Sequence, residues 1–321
     1  MEFEEKQQTL STSDADLHAA VIIANPTSGA FPHNNHYEET IAYLQEHGWQ
    51  VDLWLTDGPG AAEQLARRAV ELKVAVVIAS GGDGTINEVI QGLAGSETAL
   101  GVLPTGTVNV WAREMGIPLD RAKAREMLVH GQTRRIDLGK VNERYFLLMV
   151  GIGFDGEVAQ AVERKPLKRL GVLGYVLAAL WFGPGYVGFP LTLRIDGAEP
   201  VRMRALQIFI GNTQLYGGAI KFTWLARCDD GLLDLCVVHK RGWLGRWVVL
   251  GDFVLRHERR RLWVRYNTFK KVVIETKDPV AIQVDGDPGG YTPATFEVAP
   301  AALKVIVPQE VSSELFSRKG R

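Results

Sequence analysis

An α/β domain with a parallel sheet, joined to a β-rich antiparallel second domain with the active site in the cleft between them, is the fold class that the sequence predicts. Between Ala19 and Gln132 short apolar runs alternate with amphipathic stretches, the grammar of βαβ units. After Arg135 strand-like runs dominate and the alternation is lost. Three of the early runs end in loops rich in Gly, Ser, Thr and Asn. In a parallel sheet those ends share one edge, the edge where ligands bind. At 321 residues, 46% hydrophobic and 23% charged, the chain has the composition of a globular protein and the length for two domains.

The first strand, residues 19–24, runs into Asn25-Pro26-Thr27-Ser28-Gly29. Residues 37–46 read as a helix, 50–55 as the second strand and 60–72 as an amphipathic helix. The third strand, 74–79, leads into Gly81-Gly82-Asp83-Gly84-Thr85-Ile86-Asn87 and a helix over 86–93. Three glycines in four positions remove side-chain bulk, so backbone N–H groups can close on an anion at a helix N-terminus. Thr85 and Glu88 have the spacing of a capping box, which starts the helix where the loop ends. Asp83, the one charge in the loop, suits Mg²⁺, a hydroxyl or a proton better than it suits phosphate. Standing alone, the run also reads as a tight turn with an N-cap. The fourth strand, 99–103, ends in Pro104-Thr105-Gly106-Thr107-Val108-Asn109 before helices over 111–115 and 121–129.

In the second half, strands are expected over 145–150, 191–195, 203–211, 233–238, 271–276 and 281–284. Helical segments over 155–164, 170–181 and 243–256 interrupt them. The stretch 170–182 is apolar but shorter than the ~20 residues a spanning helix needs, and Gly183-Pro184-Gly185 ends it. A basic cluster before it (Arg164, Lys165, Lys168, Arg169) reads either as a surface for anionic lipid or as the solvated end of a core helix. A net charge of −1 supplies no broad footprint for nucleic acid. Cys228 and Cys236 are too few for a disulfide framework and read as reduced core residues. Residues 1–16 lack the apolar core of a signal peptide, so the cytoplasm is the expected location.

The three loops, in this order and spacing, resemble the catalytic domain of diacylglycerol kinases, sphingosine kinases and bacterial lipid kinases. Downstream, Ile136-Asp137-Leu138-Gly139, Gly151-Ile152-Gly153-Phe154-Asp155, Asp229-Asp230-Gly231-Leu232-Leu233-Asp234 and Val284-Asp285-Gly286-Asp287 resemble further segments of that family. The resemblance covers residues 18 to 308 and implies an NAD-kinase-like first domain. It also implies a flexible tail over 1–17, a nucleotide-binding domain over 18–134, a lipid domain over 135–306 and a segment, 307–321, that returns to the first domain. It implies an ATP- and Mg²⁺-dependent lipid kinase acting on diacylglycerol or a related lipid at the inner membrane face, with no transmembrane segment. Homodimers occur in the family. The runner-up readings are a kinase of a soluble acceptor, like the NAD kinases, and a nucleotide-binding pseudokinase without turnover.

Residue by residue, the resemblance assigns the nucleotide to Asn25, Pro26, Ser28, Gly29, Thr56, Gly81, Gly82, Asp83, Gly84, Thr85, Asn87, Glu88, Gly106, Thr107 and Asn109. Backbone N–H groups of 81–85 and the hydroxyls of Thr85 and Thr107 would cradle phosphate. The family's general base maps to Asp287, one methylene shorter than the usual Glu, with Asp83 as partner or rival. Two carboxylates converging on one hydroxyl would push their pKa values apart. A structural Mg²⁺ maps to Asp230 and the carbonyls of Arg227 and Leu232, with Asp137 reaching it through water. Asp155 maps to the acceptor headgroup or caps a helix. The segments 170–182 and 243–255 are candidates for the acyl pocket. Two departures stand out: Val110 replaces an acid that many relatives carry, and Trp224 replaces a proline. Gly151-Ile152-Gly153-Phe154-Asp155-Gly156 also fits a dinucleotide fingerprint, but no acid follows at the right distance.

Overall fold

The computed structural model describes residues 19–26, 37–154, 156–157, 187–216, 220–239, 264–311 and 314–317. Ser28, Gly29, Asp155, the basic cluster and the segments 170–182 and 243–256 lie outside the described residues.

The first half is a parallel sheet in the order β2 (Gln50–Leu55), β1 (Ala19–Ala24), β3 (Val76–Gly81), β4 (Ala99–Pro104). β1, β3 and β4 are buried along their whole length, which explains their unbroken apolar runs. β2 lies at the edge and alternates between exposed and half-buried positions over most of its length. Four helices connect or follow these strands: α1 (Tyr37–Glu46), α2 (Ala61–Glu71), α3 (Asp83–Leu93) and α4 (Val110–Met115); α5 (Arg121–His130) precedes the second half. α2 and α3 lie in close contact, because a Cβ at Gly92 would come within 2.7 Å of Ala66 and 2.8 Å of the Arg67 backbone.

The second half begins with β5 (Gln132–Val141), so the change of grammar expected near residue 134 falls inside one strand. It continues through β6 (Arg144–Phe146), β7 (Met149–Gly153), β8 (Phe189–Ile195), β9 (Val201–Gly211), β12 (Leu233–His239), β13 (Val264–Phe269), β14 (Lys271–Thr276), β15 (Ala281–Val284) and β16 (Asp287–Tyr291). A small hairpin, β10 (Leu215–Tyr216) with β11 (Ile220–Lys221), stands apart. Pairing among the larger strands is antiparallel, in the order β16-β15-β7-β9-β8-β14, and β12 adds to β9 beside β13.

β17 (Ala294–Val307), unforeseen in the sequence, joins the halves. Its start pairs antiparallel with β14, its length with β5, and Lys304 and Val305 pair parallel with β4. One apolar cluster fills the parallel half and extends to Phe209, Phe222 and Cys236; a second, centred on Phe146, Phe269 and Phe296, fills the antiparallel half.

Two local expectations are corrected. The strand expected over 145–150 is two strands, because the backbone bends at Leu147 and Leu148 to aim consecutive N–H groups at a carboxylate (below). The capping box does not form. α3 starts at Asp83, its N-cap is Gly82 without a side-chain cap, and Glu88 accepts from the Ala62 N–H of α2 at 3.2 Å instead. With two small helices packed so closely, Glu88 caps its neighbour rather than its own helix.

Candidate active site

The carboxyl edge of the parallel sheet is laced together by backbone. Thr56 N–H donates to the Ala24 carbonyl (2.9 Å), Asn25 N–H to Ser80 (3.2 Å) and Thr105 N–H to Gly81 (3.0 Å), so each loop hangs from the neighbouring strand. The Thr56 hydroxyl also leans on the Ala24 carbonyl at 3.4 Å. Two loops touch through their glycines: a Cβ at Gly106 would lie 2.4 Å from the Gly82 Cα, so any side chain there would push the loops apart. Likewise a Cβ at Gly81 would collide with the Thr85 hydroxyl, which is buried in the first turn of α3. Gly84 and Thr107 are exposed. The first-turn N–H groups of α3 have no intrahelical acceptor and carry the positive end of its dipole.

Asp83 closes this assembly. Its two carboxylate oxygens accept from Val110 N–H (3.0 Å) and Trp111 N–H (3.2 Å), the opening amides of α4. Asn109, in the left-handed region at φ 52°, turns the chain into α4 and donates to the Gly106 carbonyl at 2.7 Å. Val110, whose backbone N–H makes one of these bonds, is itself buried.

The second half brings up a hairpin. Asp285 (φ 49°) and Gly286 (φ 94°) form a two-residue turn of the primed type between paired Val284 and Asp287. The Asp285 carboxylate accepts from four donors: Leu147 N–H (2.7 Å) and Asn87 Nδ2 (2.8 Å) on one oxygen, Leu148 N–H (3.0 Å) and Met149 N–H (2.8 Å) on the other. Burial pushes this carboxyl up to about 6 even against the pull of the three backbone donors and Arg144, which favour its ionised form. Asn87 sits on α3, so the hairpin is bonded directly to the helix that carries the glycine loop. Arg144 completes the junction. Its Nη2 donates to Asn87 Oδ1 (3.1 Å) and lies 3.4 Å from the Asp287 carboxylate, and Nη1 donates to the Pro288 carbonyl at 3.3 Å. A cavity of about 420 Å³ opens beside it, lined by Glu63 and Arg67 of α2, Asn87, Glu88 and Gln91 of α3, and Glu143, Arg144 and Tyr145. Asp83 holds α4, and Asp287 faces Arg144.

The residues expected around a metal lie where β5, β12 and β17 meet. Asp137 is buried and its carboxylate accepts from Gly231 N–H and Ala301 N–H, both at 2.7 Å; Ala301 (φ 50°) sits where the β17–β5 register shifts. Asp230 accepts from the Leu232 N–H at 3.1 Å, which folds the 230–232 turn. Burial raises the Asp137 and Asp230 carboxyls, and the aspartates beside them raise them further. Burial and the Asp230 charge push Asp234 up to about 7. Among the described residues no group of three or more His, Cys, Asp or Glu side chains is arranged to hold a metal, so donors here would combine carboxylate with backbone carbonyl. Oxygen-only donors amid excess negative charge fit a hard divalent cation that keeps some of its water. Trp224, the departure from proline, has a role of its own: its indole N–H donates to the Tyr266 hydroxyl at 2.7 Å and ties this loop to β13.

Three residues of the junction escaped the sequence reading. Asp285 stood inside a recognised segment, but its neighbour Asp287 drew the role; the Asp-Gly pair between strands was the available hint of a primed turn. Arg144 gave no signal. Glu114 of α4 is buried and accepts from Gln214 N–H (2.5 Å) and Leu215 N–H (2.8 Å), a second strap between the halves that burial holds above the usual carboxylate range.

Among the described residues no helix is long and apolar enough to cross a membrane. A family model described as the diacylglycerol kinase catalytic domain matches residues 19–141, and one described as the YegS C-terminal NAD kinase beta sandwich-like domain matches 148–307. The chain is 30% identical to a diacylglycerol kinase of Bacillus subtilis (strain 168), over 92% of this chain and 98% of that one. It is 31% identical to a diacylglycerol kinase of Staphylococcus aureus (strain bovine RF122 / ET3-1), over 92% and 94%. A crystal structure from Bacillus anthracis str. Sterne, of a protein provisionally assigned as a diacylglycerol kinase, superposes with a TM-score of 0.75 at 25% identity, covering 91% of this chain and 97% of that one.

Proposed function

The chain belongs to the diacylglycerol kinase family and is a lipid kinase, and from that premise we propose how its residues divide the work. The γ-phosphate of ATP is transferred to a hydroxyl of diacylglycerol or a closely related lipid presented at a membrane surface. The triphosphate lies over the loops of Asn25, Gly81–Thr85 and Gly106–Asn109, with Thr56 toward the nucleoside. Main-chain N–H groups and the α3 dipole meet its charge. Asp287 accepts the proton of the lipid hydroxyl; the freed oxygen bonds to the γ-phosphorus as the bond to the β-phosphate oxygen breaks, and ADP leaves. Asp83 keeps the second and third loops in register through α4.

Magnesium, when bound, would offset phosphate charge at the nucleotide and, at Asp230 with the carbonyls of Arg227 and Leu232, would brace the turn next to Asp137. The observation that carries the reading is the Asn87–Asp285 hydrogen bond, which joins the phosphate-loop helix to the turn bearing Asp287.

The test is transfer of labelled γ-phosphate from ATP and Mg²⁺ into total lipid extract in mixed micelles. Wild type is run beside Asp287→Asn. One labelled lipid, absent with the variant, supports the assignment, and its chromatography names the acceptor. ATP binding without any labelled lipid would overturn it in favour of a soluble acceptor or a sensing role.

A further inference from the structure

Asp287 opens β16 with its side chain 54% exposed, and a carboxylate in that position samples several rotamers unless a neighbour holds it. Arg144 is one such neighbour, 3.4 Å away. The guanidinium is a planar fork with fixed donor directions. Here it meets three acceptors from two elements: Asn87 Oδ1 on α3, the Asp287 carboxylate, and the Pro288 carbonyl one residue further along β16. The Asn87 amide is buried and bonded at both ends, to Asp285 and to Arg144, and so links the two elements.

Resting on the reading of Asp287 as base, we propose that Arg144 is its positioning residue. The guanidinium fixes the direction in which the short Asp287 carboxylate approaches the acceptor hydroxyl. Asn87 ties that direction to α3, so the base and the phosphate loops keep one frame. A carboxylate one methylene shorter than the family's usual Glu has less reach to spare, and an external brace matters more. Arg144 enters from the side of the 420 Å³ cavity, so truncating it removes the brace without opening the buried core.

The experiment is steady-state kinetics on the full chain with diacylglycerol micelles, for Arg144→Met, Arg144→Lys, Asp287→Asn and the double variant Arg144→Met/Asp287→Asn. Thermal unfolding controls for folding, and Arg144→Lys is judged if Arg144→Met unfolds. Misplacement of a reacting group by about 1 Å costs up to ~10²-fold, so Arg144→Met should lose ~10- to 100-fold in kcat with the KM for ATP within about twofold of wild type. Arg144→Lys should recover part of that loss, because one ammonium cannot span all three acceptors. In the Asp287→Asn background, Arg144→Met should cost nothing further. Multiplicative losses, or a raised KM for ATP at unchanged kcat, would make Arg144 a nucleotide ligand and overturn the proposal. An inactive Asp287→Asn beside a fully active Arg144→Met sinks this proposal alone; a fully active Asp287→Asn sinks the base assignment with it.

Discussion

The two halves of the molecule build their shares of one site from different materials. In the parallel half the site is main chain: strand-end carbonyls, helix-opening amides and glycines that let Gly82 and Gly106 touch. In the antiparallel half it is carboxylate side chains on turns, Asp285 and Asp287, held by donors far away in sequence; Asn87 and Asp285 are 198 residues apart. Backbone sites bind by shape and tolerate side-chain drift at exposed positions, while carboxylate sites depend on a few atoms being delivered accurately. The difference teaches where each kind of damage should fall: glycine substitutions on nucleotide binding, carboxylate substitutions on turnover and on the joint between the halves.

The largest expected effect comes from Asp287→Asn. Loss of a general base removes ~10²- to 10⁴-fold in kcat, and if the halves divide the work as described, the dissociation constant for ATP measured by calorimetry stays near wild type. A parallel loss of ATP affinity would erase the division. Next is Asp285→Ala, which strands four donors at once. Unpairing buried groups around a charge costs about 2–4 kcal/mol, read as a lower midpoint in urea unfolding. Unchanged stability would mean the junction holds without its carboxylate.

Gly106→Ala tests the other half. Wedging a methyl between touching loops costs about 1–3 kcal/mol, and the KM for ATP should rise roughly tenfold while the KM for lipid holds. A change confined to the lipid KM would reverse the assignment of the halves. The smallest effect concerns Asp234. Its folded carboxyl sits near 7, above its value in the unfolded chain, so folding binds a proton between about pH 4 and 7 and stability declines as pH rises through that window. A divalent cation bound at the neighbouring turn, as proposed, would relieve the repulsion that appears once Asp234 ionises. Magnesium should therefore raise the melting temperature by more at pH 8 than at pH 5; equal gains would remove the cation from this turn.

How much could be read in advance follows the same division. The glycine loops announce themselves because glycine density marks close backbone approach wherever it occurs, and βαβ alternation gives the sheet that aligns them. Helix starts were less legible. Thr85 and Glu88 have capping-box spacing, yet tertiary packing gave Glu88 to Ala62. In the second half, the run 145–150 is apolar enough for one strand, and nothing local says that Leu147 and Leu148 bend to serve Asp285. β17 carries Pro300 and a register shift, so its alternation breaks where it changes neighbours. Arg144 was invisible because its importance lies in three acceptors that only the folded chain assembles.

β17 has a further implication, for how the molecule comes into being. The parallel sheet needs it as the strand beside β4, yet β4 ends at Pro104 and β17 starts at Ala294. At ribosomal speeds of about 5–20 residues per second, the interval between them is on the order of ten to forty seconds. Through that interval a fully apolar strand edge has no permanent neighbour, the kind of edge that recruits other chains. A nascent chain that halts before Ala294 should behave as an aggregating fragment rather than as a free nucleotide-binding domain, and the last strand to emerge is the one that makes the first half safe.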